Sequence, residues 1–163
     1  MQTRELPLAE TALRAYCAGI IDGEGYIGCT RTAPRGTNIS YRYFVRLSVM
    51  MADREPVELV ASLVGASVYQ RDRKAKDNHS LMYVLDITSH VAIRLIRQVL
   101  PYLICKREQA LLACQLQDLK TSNHAANGAG RRLTPEHLAK CDALYLAMRR
   151  RLVTNNGIEA LPL

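Results

Sequence analysis

No stretch of the chain approaches the roughly 18 consecutive apolar residues that a membrane span requires, and the opening MQTRELPLAE lacks the apolar core of a signal peptide. A membrane partner is thereby disfavoured. The expectation is an intracellular protein, in a bacterial or phage cytoplasm or an organelle. There is no CxxC pair either. The five cysteines, Cys17, Cys29, Cys105, Cys114 and Cys141, are odd in number and widely spread, which argues against a disulfide framework or a zinc site and leaves them as small apolar residues. His79, His90, His124 and His137 have no spacing that builds a metal site, and no serine or cysteine stands in a nucleophile setting. The GAGRR near residue 130 lacks the lysine and hydroxyl ending of a phosphate loop. No internal repeat is present.

What the chain does have is positive charge. Its 163 residues carry 22 basic and 15 acidic side chains, net +7, with an isoelectric point near 9.4, a balance that favours an anionic partner such as nucleic acid. A length of this order, with 48% apolar residues, suits one domain with one ordinary core. We place that domain over the whole chain, with its core at about residues 8–120 and a helical extension at about 121–163.

Periodicity gives the element order. Pro7 to Ile21 has helical rhythm, with one apolar stripe (Leu13, Tyr16 or Cys17, Ile20) and one stripe of small residues (Ala15, Ala18, Gly19, Asp22). After Gly25 the period becomes two: YIGCTRTA and SYRYFVRLSVM, joined by Pro-Arg-Gly-Thr-Asn, form a predicted antiparallel hairpin. Within it Tyr43, Val45, Leu47 and Val49 face one way, and Arg42, Phe44, Arg46 and Ser48 the other. Asp53 opens a short helix that Gly65 closes. Strands follow near Ser67–Arg73 and Leu81–Thr88, separated by the charged loop KAKDNH, then a helix from Ser89 to Leu100 that meets Pro101. Helical patterns resume over Lys106–Leu119 and Thr134–Leu152, with SNHAANGAGRR as a flexible connection and the last dozen residues frayed. The class is α+β: an αββαββα order, a four-stranded antiparallel sheet with helices on one face, and C-terminal helices.

Such a sheet leaves a face open. Arg31, Arg42, Arg46, Arg71, Arg73, Lys74 and Lys76 lie on strands or turns, most of them at positions turned away from the core. A β-ribbon fits the DNA major groove, where arginine makes paired hydrogen bonds to guanine or contacts phosphate. Thr30, Thr32, Ser48 and Tyr69 add shorter polar groups, so Thr30, Thr32, Arg42, Arg46, Ser48, Tyr69, Arg71 and Arg73 form the expected DNA-binding set.

At the end of the first helix stands Cys17-Ala18-Gly19-Ile20-Ile21-Asp22-Gly23-Glu24-Gly25. This resembles the LAGLIDADG signature of the homing endonucleases, or meganucleases, with Cys17 for the first leucine, Gly23 for the second alanine and Glu24 for the final acid. The resemblance implies a saddle-shaped sheet and a homodimer in which the signature helices pack through Ala15, Ala18, Gly19 and Asp22. It further implies that Glu24 and the Gly23 carbonyl hold Mg²⁺, with Ca²⁺ or Mn²⁺ as substitutes. The small residues allow close helix approach, and the glycines flanking Glu24 permit a sharp exit. A second segment, LPYLICKREQA from Leu100, is similar to the family's stretch in which a proline-ended helix is followed by a lysine near the active site. It implies that Lys106 supports catalysis beside Glu24 and Asp22.

The expected function is therefore cutting of both strands of a long pseudo-palindromic DNA site, leaving 3′ overhangs, by an intron-associated enzyme. One departure stands out. Relatives carry a polar glutamine at the end of the second strand, where this chain has Val49-Met50-Met51-Ala52, and a thioether donates no hydrogen bond. That keeps open two alternatives on the same scaffold, an RNA maturase acting on its host intron and a non-catalytic DNA-binding regulator.

Overall fold

The computed structural model describes residues 8–36, 40–75, 78–127 and 133–155. The elements are α1 (Leu8–Glu24), β1 (Gly25–Thr32), β2 (Arg42–Met51), α2 (Arg54–Ser62), β3 (Tyr69–Ala75), β4 (Asn78–Thr88), α3 (Ser89–Val99), a 3-10 turn (Leu100–Tyr102), α4 (Arg107–Asn127) and α5 (Pro135–Asn155). The αββαββα order and the two C-terminal helices are as the periodicity predicts. No described helix is long and apolar enough to cross a membrane.

All three strand pairings are antiparallel, in the order β1-β2-β4-β3. Two local hairpins are thus joined through their inner strands. Alternation along β2 decides which side is covered: Tyr43, Val45, Leu47 and Val49 are buried, whereas Arg42 is exposed and Phe44, Arg46, Ser48 and Met50 are half-exposed. The buried set joins Ile27, Cys29 and Leu85 of the sheet to Cys17, Ala18 and Ile21 of α1, Val57 and Val60 of α2, and Ala92, Ile93 and Ile96 of α3 in one core. Complete burial of a Val or Leu side chain contributes about 1.5–3 kcal/mol, so this single-sided core holds the open face in place.

The C-terminal end of α2 is tied to its neighbours rather than left to solvent. Gly65, at φ +65°, ends α2 in the left-handed turn predicted for it, and the Ala66 N–H returns to the Ala61 carbonyl at 3.1 Å. The last carbonyls of that turn accept from α3: Gln98 Nε2 donates to Leu63 O at 2.9 Å and Arg94 Nη2 to Val64 O at 2.6 Å.

Three predicted boundaries move. Most of the charged loop KAKDNH is ladder, with Lys74 paired to His79 and Ala75 to Asn78, because backbone pairing outweighs the charge of exposed strand ends. Lys76 lies outside the described residues. The first half of the predicted flexible connection is helical, since α4 continues to Asn127, and α5 continues to Asn155, beyond the predicted Leu152. The end of the chain beyond Asn155 lies outside the described residues.

Candidate functional site

The site begins where α1 ends. Its last four carbonyls have no partner within the helix, and no basic side chain lies in its last turn to offset the negative end of the dipole. The chain leaves directly into β1 through Gly25. A Cβ there would sit 2.6 Å from the Ile21 carbonyl oxygen and 2.8 Å from its Cα, so only glycine makes the exit. Glu24 is exposed at this corner and makes no hydrogen bond or ion pair with any described residue.

Lys106 is brought to the same corner by Asp22. One Asp22 carboxylate oxygen accepts the backbone N–H of Ile104 at 2.7 Å and the other accepts that of Lys106 at 2.9 Å, while Lys106 Nζ donates to the Asp22 carbonyl at 2.5 Å. Two devices are combined here. The carboxylate serves as a remote N-cap for α4, whose own ladder starts with Ala110 N–H on Lys106 O at 3.0 Å, and the ammonium neutralises a terminal carbonyl of α1. The structure therefore joins Asp22 to Lys106 directly, at the helix end that carries the exposed Glu24 two residues further on.

A hard divalent cation takes oxygen ligands, and those on offer are the Glu24 carboxylate and the exposed turn at Gly23. No cluster of three or more acid, histidine or cysteine groups is assembled among the described residues. The donor set fits a shared cation site completed by oxygens from outside the chain, such as phosphate or a second copy.

Of the four residues expected in a helix–helix seam, Ala15 and Gly19 are exposed and two are turned inward. Ala18 is fully buried in the core of its own chain, and Asp22 is turned to the α3–α4 connection, so neither belongs to an outward stripe. Cys17 takes the core position and Tyr16 stays 53% exposed. The exposed positions of α1 are Ala9, Ala12, Ala15, Tyr16, Gly19, Gly23 and Glu24. A Cβ on Gly19 or Gly23 would meet nothing within 4 Å, so no described residue requires either glycine.

On the open face the expected set divides. Thr30, Thr32, Arg42, Tyr69 and Arg71 are exposed, and Ser48 is half-exposed. Arg73 pairs with Ser80 in the ladder, and its side chain lies outside the described residues. Arg46 is on the face but bound: its Nε and Nη2 meet the two Asp86 oxygens at 2.7 and 2.5 Å. Arg31 is not on the face. It turns to the helical side, donating to Asp142 of α5 at 2.7 Å with its guanidinium 4.6 and 4.8 Å from the Tyr41 and Tyr145 ring centres. Sequence reasoning missed Asp86, although its alternation with Leu85 and Ile87 places it on the open side. It also missed Tyr26, whose phenol lies over Gly28 with Cζ 2.6 Å from where a Cβ would be. Met50 and Tyr69 flank the buried Val84 in register, so part of the open face is apolar.

No protein-family model matches the sequence, and no curated protein does. Solved structures do match. The homing endonuclease I-CvuI in complex with its target in the presence of Ca is 18% identical, with a TM-score of 0.58 over 94% of this chain and 100% of that one. The archaeal intron-encoded homing endonuclease I-Vdi141I, complexed with DNA, is 17% identical at a TM-score of 0.64, covering 87% and 85%. The I-LtrWI LAGLIDADG homing endonuclease bound to target DNA is 17% identical at 0.60, covering 94% of this chain and 52% of that one. With one four-stranded antiparallel sheet, an acid-tipped signature helix and these structural likenesses, the chain has the LAGLIDADG homing endonuclease fold.

Proposed function

We propose that the chain is a LAGLIDADG homing endonuclease subunit that pairs with a second copy of itself to hydrolyse both strands of a long, nearly palindromic double-stranded DNA site. The observation that carries this reading is the corner at the end of α1, where Glu24 is exposed and the Lys106 ammonium is bound to the Asp22 carbonyl two residues before it, next to an open, arginine-bearing sheet face. The seam is formed by Ala12, Ala15, Tyr16, Gly19 and Gly23. Glycine in an exposed helix costs about 1 kcal/mol relative to alanine, and here an approaching helix supplies the reason for it. Two-fold pairing puts one Glu24 from each subunit near the axis and imposes the same symmetry on the target.

A divalent cation held here, Mg²⁺ in this reading, would supply polarisation of the phosphodiester and a lowered pKa for attacking water. Glu24 and the Gly23 carbonyl hold it, Lys106 places positive charge where the leaving oxygen develops negative charge, and Asp22 fixes Lys106. The product carries 3′ overhangs. The host element is an intron in a bacterial, phage or organellar gene.

The test is cutting of a randomised duplex library with Mg²⁺ by the wild type and Glu24→Gln. Sequence-selected double-strand cuts that fall at least a hundred-fold in the variant are expected, in line with the loss of a metal ligand or charge-stabilising group. The methionines favour a second reading. Met51 packs on the core and Met50 lies on the open face, so neither offers a hydrogen-bonding group at the end of β2. Selective binding without cutting by the wild type would establish the regulator, and binding of intron RNA in preference to duplex DNA the maturase.

A further inference from the structure

Alternation along β4 places Val84, Asp86 and Thr88 on the open face, opposite Met50, Ser48 and Arg46 of β2. Asp86 is an acid in the midst of a basic face, where a carboxylate close to phosphate opposes binding. Its two oxygens are both given to Arg46, one to Nε at 2.7 Å and one to Nη2 at 2.5 Å. A fork-to-fork pair of this kind fixes the plane of the guanidinium. It uses the Nε hydrogen and one on Nη2, and leaves two hydrogens on Nη1 and one on Nη2. A donor from each nitrogen at the far end of a fixed plane matches the O6 and N7 acceptors of guanine in the major groove.

The surroundings favour a base edge over the backbone as the target. The pair carries no net charge, so it attracts phosphate weakly, whereas backbone contacts are made by unneutralised cations. Across from Arg46 on β1 stands Gly28, over which the Tyr26 phenol lies, so the neighbour of the guanidinium on that strand is a neutral ring and not a second charged group. The Arg46 side chain keeps 44% of its surface and Asp86 keeps 23%. The acid is the more enclosed partner and the guanidinium the more available one.

We propose that Arg46 and Asp86 form a single base-reading unit, in which Asp86 positions Arg46 so that each subunit requires a guanine at one place in its half-site. This rests on the DNA-binding reading above. Asp86 is a positioning residue for specificity and takes no part in the hydrolysis.

The test is selection of bound duplexes from a randomised library in calcium buffer, with sequencing, for the wild type, Asp86→Ala, Asp86→Asn and Arg46→Lys. The wild type should enrich a G·C pair at one position in each half, at mirror-related places. Both Asp86 variants should lose roughly ten-fold of that preference while keeping the others, with total affinity unchanged or raised because an acid has gone. Arg46→Lys should lose the same preference, since an ammonium cannot present two coplanar donors. An unchanged preference at every position in the two Asp86 variants would overturn the proposal while leaving the nuclease reading intact, as would a loss spread evenly over all positions in Arg46→Lys. Absence of any sequence enrichment by the wild type would overturn both.

Discussion

Among single residues, Asp22 and Glu24 stand two apart and do opposite things. Asp22 satisfies two backbone N–H groups and anchors Lys106; its removal strands those donors. Asp22→Ala should therefore cost about 1–3 kcal/mol of unfolding free energy, read by urea titration, and lower the cutting rate at saturating DNA more than it weakens DNA binding. Equal losses in both would mean that the loop merely unfolds. Gly25→Ala drives a methyl into the Ile21 backbone and should destabilise by about 1–3 kcal/mol. The cysteines supply a pH signature. Burial pushes the Cys17 and Cys29 thiols up to about 11 from an ordinary 9.0. A group whose folded pKa is raised contributes its stability below the unfolded value and loses it as pH rises through the folded one. Stability should thus fall between about pH 9 and 11, and a thiol reagent at neutral pH should label exposed Cys105 well before Cys17, Cys29 or Cys141. Rapid labelling of all five would contradict the core.

Elements show where sequence is legible and where it is not. Buried alternation in β2, the Gly65 stop and the Pro101 break are local, and each emerges where the pattern puts it. The outward face of α1 keeps Ala15 and Gly19 of the small-residue reading and loses Ala18 and Asp22, because alanine fits a core as readily as a helix seam. Only packing separates Ala18 from Ala15. The fate of the arginines was illegible for a different reason: the partner of Arg31 is 111 residues away and that of Arg46 is 40 away, and no periodicity reports such pairs. The corrected seam has its own test. Gly19→Ala should stabilise the isolated chain by up to about 1 kcal/mol, whereas Gly19→Leu should shift sedimentation from dimer to monomer and abolish double-strand cutting. A Leu variant that still sediments as a dimer would move the interface elsewhere.

At the scale of the whole molecule, a net charge of +7 per chain is distributed unevenly, since Arg31 and Arg46 are neutralised within the chain while Arg71 is exposed on the sheet. Affinity for DNA should fall on raising salt with a slope of about −0.9 per phosphate contact, and Arg71→Ala should either flatten that slope or relax one base position, according to which it touches. A salt-independent affinity would point away from a duplex target. The corner of α1 also has a consequence for descent. Among the described residues the Glu24 side chain holds no partner, whereas its neighbour Asp22 is bound into the architecture, so folding stability guards one acid more than the other. A lineage no longer selected for cutting would drift first at position 24 and keep position 22, leaving a folded protein that still grips DNA. In such descendants, the identity of one exposed residue would record whether the proposed activity had been given up.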